Sequence, residues 1–146
     1  ERIVNYMLQY ADLIGVPFAY NGRGPDTYDC YGLNMEIYRR LGVKVPDVRS
    51  PTDLDDIAAV MGFEKTKWTT LWTKEGIGDA PSHADMPVGA TLMFNVNGRT
   101  SHVGIVVRPG RFLHAWEHLG GVAEERISLW RRRIEGIYRF DGFSPN

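Results

Sequence analysis

The apolar residues of this chain change period once along its length. In the first third they recur three and four apart, and from about residue 90 they alternate. Ile3, Met7, Leu8, Ala11 and Ile14 predict a helix over 1–14, ended by Gly15 and Pro17. Residues 16–28, rich in Gly, Pro, Asn and Asp, read as a loop. Asp29 then caps a helix whose Leu33, Ile37 and Leu41 share one face, with Gly42 and Pro46 closing it. Residues 53–61 suggest a short helix with Asp53, Asp55 and Asp56 in its first turn, where the macrodipole favours anions. Residues 62–88 carry no clear period and only Trp68, Leu71 and Trp72 as strong apolar anchors. Strands are predicted at 90–96, 102–108, 111–116, 121–128 and 135–140, joined at Asn97-Gly98, Pro109-Gly110 and Gly120-Gly121. N-terminal helices packed on a C-terminal antiparallel sheet of about five strands make an α+β fold, a single domain over 1–146.

Composition narrows the function classes more than it names one. Seventeen basic and 18 acidic residues leave a net charge of -1, which gives no general pull toward nucleic acid or an anionic membrane. No apolar run reaches transmembrane length, and no charged-then-apolar leader opens the chain. Starting at Glu1 rather than Met, it reads as a processed form or a domain cut from a longer chain. One cysteine makes no internal disulfide, which is compatible with work inside or outside the cell.

That cysteine, Cys30, stands in Tyr28-Asp29-Cys30-Tyr31-Gly32-Leu33, in the first turn of the capped helix. Partial positive charge and free N–H groups there favour a thiolate, so a lowered thiol pKa and fast alkylation near pH 6 are expected. A lone cysteine is otherwise most often a small buried hydrophobe. Two histidines lie in strand settings downstream. Alternation puts His102, Gly104 and Val106 on one face of their strand, with Gly104 leaving room there for the Cys30 helix. His114 shares a face with Phe112 and Trp116. A hairpin across Pro109-Gly110 sets the two histidines on its two flanks near one end, so one ring can orient the other. A thiol at a helix start with imidazoles on nearby strands is the layout of a cysteine hydrolase. Alone, His102 reads also as a core or strand-edge residue, and His114, between aromatics, reads more strongly as a packed one. A metal site ranks below the nucleophile reading, because no close-spaced ligand pair exists. Asp26 and Asp29 read as turn and cap residues, His118 as a loop residue, and Arg131-Arg132-Arg133 as a solvated run.

Taken together, these segments resemble the NlpC-type cysteine peptidases, bacterial and phage cell-wall hydrolases with a papain-like core. Gly15-Val16-Pro17-Phe18-Ala19-Tyr20 followed by Asp29-Cys30-Tyr31-Gly32-Leu33 looks like the nucleophile segment. His102-Val103-Gly104-Ile105 looks like the base motif, and Leu113-His114-Ala115 like the segment of the third polar residue. The departures are Tyr31 where the family has Ser, Phe18 where it has Tyr, and Ala90 where Asp commonly follows the strand-leading Gly89.

The resemblance implies catalysis by Cys30 as nucleophile, His102 as base and His114 as orienting residue, with no cofactor and no metal. It implies an oxyanion and substrate pocket formed by Tyr31, Phe18, Tyr20, Tyr28 and Trp116. Its implied substrate is the peptidoglycan stem peptide, cut between γ-D-glutamyl and the following diamino acid. Tyr31 and Gly136-Ile137-Tyr138-Arg139 look more like the phage-tail branch. Tail or tail-tip proteins are then partners, and the virion or the bacterial envelope the location. An amidase or acyltransferase of the same superfamily, and a non-catalytic wall-binding or tail-plug domain, are the alternatives.

Overall fold

A computed structural model describes residues 8–47, 72–76 and 86–140. Its main helix, α1, is Cys30–Arg40. The strands are β1 (Trp72–Gly76), β2 (Thr91–Val96), β3 (Arg99–Arg108), β4 (Arg111–Trp116), β5 (Gly121–Arg126) and β6 (Ile134–Phe140). They form one sheet in the order β1-β6-β2-β3-β4-β5, every neighbouring pair antiparallel. The fold is α+β, as expected, with a sixth strand at the edge. That strand starts at Trp72, in the stretch whose sequence has no period.

Three boundaries differ from expectation. Strand β3 starts at Arg99, directly after the Asn97-Gly98 turn and three residues before the expected start at 102. A short helix, α2 (Ile127–Trp130), and a 3-10 turn at Arg131–Arg133 replace the end of the strand expected to run to 128. Ile127 and Trp130 bury while Leu129 is exposed, a helical spacing that the strand template cannot satisfy. At the N-terminal end, the described part of the helix expected over 1–14 holds only a 3-10 turn, Ala11–Leu13. Leu13 is buried and Ile14 is exposed, so the inward face is shifted by one residue. The helix expected over 53–61, and His83, lie outside the described residues.

Both sheet faces are covered. On one, Leu33, Ile37 and Tyr38 of α1 pack against Ile105, Val107, Leu113, Ala115 and Val122. Burying Leu33 and Ile37 contributes about 1.5–3 kcal/mol each. A polar contact fixes the helix axially: Asn34 Nδ2 donates to Thr91 Oγ1 at 3.0 Å, and the Tyr38 hydroxyl donates to the Gly89 carbonyl. On the other face Leu92, Phe94, Val106 and Phe112 meet Ile127, Trp130 and Ile134.

A strap of residues 15–19 joins the loop before α1 to the free edge of the sheet. Gly15 N–H donates to Val122 O and Val122 N–H to Val16 O, while Phe18 N–H donates to Gly120 O. Tyr28 N–H donates to Pro17 O from the other side. The strap thereby covers the unpaired edge of β5. A Cβ on Gly121 would fall 2.2 Å from Val16 O, so glycine is required where strap and strand cross.

Gly32 is as tightly confined, since a Cβ there would lie 2.0 Å from Gly22 O. Gly32→Ala therefore lowers stability by about 1–3 kcal/mol in urea denaturation, the usual cost of overpacking. Unchanged stability would mean that the loop does not sit against the helix start.

Candidate active site

The site begins with Asp29. Its Oδ1 accepts from Gly32 N–H at 2.7 Å and from Arg23 Nη1 at 2.8 Å, and its Oδ2 accepts from Asn21 N–H at 3.0 Å. This buried cap starts α1 at Cys30. The thiol is fully buried against Met93 and Val103. Burial pushes its pKa up to about 12, with the Asp29 charge adding to the rise. Val103 N–H, Tyr31 N–H and Arg23 oppose the rise and do not overcome it. The expected lowering is thus reversed: the carboxylate that caps the helix offsets the dipole that would have favoured the thiolate, and burial does the rest. Rapid alkylation near pH 6 does not follow for this arrangement.

The histidines meet across the β3–β4 hairpin. Leu113 pairs with Ile105, so Gly104 falls opposite His114 and the two rings meet diagonally past a residue with no side chain. His102 Nε2 lies 2.7 Å from His114 Nδ1. His114 Nε2 lies 2.6 Å from Glu125 Oε2 on β5, a residue to which the motifs assign no role. Phe94, Trp116 and Trp130 stand around His102, while Phe112, Trp116 and Trp130 stand around His114, at ring centroid distances of 4.8–6.4 Å. Both histidines are buried. Burial, reinforced by His114, holds His102 well below the usual histidine range. Burial also lowers His114, against the opposing pull of Glu125. Both rings are therefore neutral near pH 7.

The expectation for the helix position needs correction. The cross-strand pair Met93–Val103 faces the thiol, whereas the next pair, Phe94–His102, faces the aromatic box. Helix α1 thus lies on the face opposite Gly104 and His102. The space at Gly104 is taken by Phe112, whose ring a Cβ would approach to 2.8 Å. The thiol packs against Met93 and Val103, one residue along the strand from His102.

The five expected pocket residues separate. Tyr28 and Tyr31 belong to the helix-side core, and the Tyr31 hydroxyl donates to Pro46 O at 2.6 Å. Phe18 and Tyr20 meet edge to face at 5.2 Å, and the Tyr20 hydroxyl donates to Glu117. Trp116 alone of the five lines the histidine box. His118 is exposed on the 3-10 turn after β4, its ring against Trp116. A groove of about 540 Å³ along α1, between Met35, Arg39 and Val43, does not include Cys30, His102 or His114. No metal-binding cluster occurs among the described residues, and no described helix is long and apolar enough to cross a membrane.

The pattern that defines the NlpC/P60 family matches residues 15–139, from the strap through β6. This chain belongs to the NlpC/P60 family. Its relatives include the probable endopeptidase p60 of Listeria monocytogenes, 23% identical over 128 residues, which are 86% of this chain and 22% of that protein. The NlpC/P60 fold recurs in NlpC1 from Trichomonas vaginalis, with a TM-score of 0.62 at 23% identity over 94% of this chain and 42% of that one. It recurs in the P60 domain of an antigen from M. avium subspecies paratuberculosis, with a TM-score of 0.58 at 18% identity, covering 94% and 95% of the two chains. The chain therefore spans about a fifth of the curated relative and less than half of NlpC1.

Two neutral buried histidines make a signed prediction. The folded pKa values lie below the unfolded value of about 6.5, so the stability they carry is present above that pH and is lost as pH falls through it. Each ring costs up to about 1.4 kcal/mol per pH unit while it stays neutral in the fold and charges in the unfolded chain. Thermal melts should show Tm falling between pH 7.5 and 5.5, and less steeply for a His102→Asn, His114→Asn double variant. A flat profile in the wild type would mean that the rings are not held neutral.

Proposed function

We propose that this chain is a cell-wall hydrolase, a cysteine peptidase that cuts stem peptides of peptidoglycan. The observation that carries the reading is the His102–His114 pair at 2.7 Å, boxed by aromatic side chains and one strand residue from Val103, against which the Cys30 thiol packs. A buried imidazole with a hydrogen-bonded partner behind it is suited to general-base work. In the proposed reaction His102 takes the proton of the Cys30 thiol as sulfur attacks the peptide carbonyl. The resulting imidazolium then protonates the leaving amine, and a thioester remains on Cys30. Water, deprotonated by His102, releases the acid and restores the thiol. His114 holds the His102 ring in place. Because the resting thiol and ring are both neutral, proton transfer accompanies attack and no ion pair is formed beforehand. Thiol and imidazole lie on opposite faces of the sheet here, so the proposed reaction requires a rearrangement that brings the His102 ring and Cys30 to the same face.

The γ-D-glutamyl–diamino acid bond, and delivery by a phage tail, are the finer parts of this proposal. The bond is taken from the family resemblance, and the phage tail from Tyr31 and Gly136-Ile137-Tyr138-Arg139. A second reading, a non-catalytic wall-binding domain, is favoured by one observation, the complete burial of the Cys30 thiol away from either ring.

Digestion of purified peptidoglycan separates the two. Wild-type protein releases fragments ending in γ-D-glutamate, read by mass spectrometry, and Cys30→Ala releases none while remaining folded. His102→Ala loses about 10²–10⁴-fold in rate, the usual contribution of a general base, and His114→Ala loses less. No release from several wall chemotypes by folded wild-type protein would move the assignment to the binding domain.

A further inference from the structure

The His102–His114 contact has a third member on the next strand, and that member fixes where every proton in the row resides. His102 stands on β3, His114 on β4 and Glu125 on β5, each one diagonal step across the sheet from the last. The distances are 2.7 Å from His102 Nε2 to His114 Nδ1, and 2.6 Å from His114 Nε2 to Glu125 Oε2. A carboxylate accepts and does not donate, so the proton between Glu125 and His114 belongs to His114 Nε2. A neutral imidazole carries one proton, so His114 Nδ1 presents a lone pair. The short contact on that side then requires a donor, and His102 Nε2–H is the only one in place. His102 Nδ1 is left with a lone pair.

The geometry points to Glu125 as a positioning residue: through His114 it sets the tautomer of His102 and makes Nδ1 the basic atom. The assignment of the tautomers stands on distances and hydrogen-bond chemistry. That Nδ1 then receives the thiol proton rests on the hydrolase reading above. The opposite arrangement, with the His102 proton on Nδ1, needs either a protonated Glu125 or an imidazolium at His114. The second is disfavoured by a ring with no exposed surface, boxed by Phe112, Trp116 and Trp130. The other ionisable groups near the row are His118, in ring contact with Trp116, and Arg133, whose guanidinium lies over Trp130. Glu124, the neighbour of Glu125, is engaged instead by Arg108 and Arg111.

The test is the long-range 1H–15N spectrum of uniformly 15N-labelled protein at pH 7.5, which reports the protonated nitrogen of each histidine ring. The expected result for wild type is Nε2–H on both His102 and His114. Glu125→Gln, whose amide oxygen can accept the same hydrogen bond, keeps both tautomers and keeps the peptidoglycan rate within about threefold. Glu125→Leu, which removes the acceptor, gives mixed tautomers on His114 and His102. It lowers kcat at least tenfold, up to about the 10⁴-fold that a wrong tautomer costs a catalytic imidazole, with KM little changed. A wild-type spectrum with the proton on Nδ1 of either ring overturns the proposal, and that measurement needs no variant to fold. Tautomers unchanged in Glu125→Leu would overturn it as well. Expected tautomers in a protein that cuts no peptidoglycan would support the relay and count against the hydrolase reading alone.

Discussion

A buried carboxylate must find donors, and in this chain Asp29 finds three. Left without them, an ionised group this deep would cost several kcal/mol. Its hydrogen bonds to Gly32 N–H, Arg23 and Asn21 N–H close the loop onto the first turn of α1. The rest of the arrangement depends on that closure. Gly32 is the only residue type that lets the Gly22 carbonyl approach, and the helix start so fixed puts Cys30 at one defined point above β2 and β3. The same charge has a chemical consequence. It works with burial to keep the thiol protonated, so the feature that positions Cys30 also raises its pKa.

The sheet divides the chemistry between its faces. Toward α1 it presents Ile105, Val107, Leu113, Ala115 and Val122, with the Asn34–Thr91–Tyr38 contact at one side. Away from α1 it carries aromatic rings and the row His102, His114 and Glu125. The thiol and the His102 imidazole are linked through strand β3, where the Val103 side chain meets the thiol and its neighbour carries the ring. In this arrangement the thiol and both imidazoles are neutral and the imidazoles are boxed by aromatic rings. The proposed activity then depends on a rearrangement that brings the His102 ring and the Cys30 thiol to one face of the strand.

Much of this was legible from residue pattern. The alternation after residue 90 located five of the strands, three of them (β2, β4 and β6) to within a residue at both ends, and the turns fall where glycine and asparagine at Asn97-Gly98, Gly110 and Gly120 adopt positive φ. Asp29 was recognisable as a cap, and Cys30, His102 and His114 stood out by type and order. Three things were not legible. The strand at Trp72–Gly76 has no alternation to announce it, since pairing with β6 rather than a two-faced pattern defines it. The side of the sheet taken by α1 was misjudged because Gly104 signals close packing without saying by what, and its neighbour is Phe112. Glu125 sits in Ala123-Glu124-Glu125-Arg126, where a charged residue on an outer strand reads as solvated. Alternation does place it on the face of Phe112 and His114, and that was the available signal.

The central claim is that Cys30 becomes the nucleophile of an acyl transfer despite its buried resting state. Rapid acid quench of protein mixed with a soluble stem peptide, followed by intact mass and peptide mapping, tests it most directly. The account predicts an adduct on Cys30 equal in mass to the γ-glutamyl-side fragment less water, formed with the first turnover and absent in Cys30→Ala. Product formation without that adduct, or an adduct on any other residue, would contradict it.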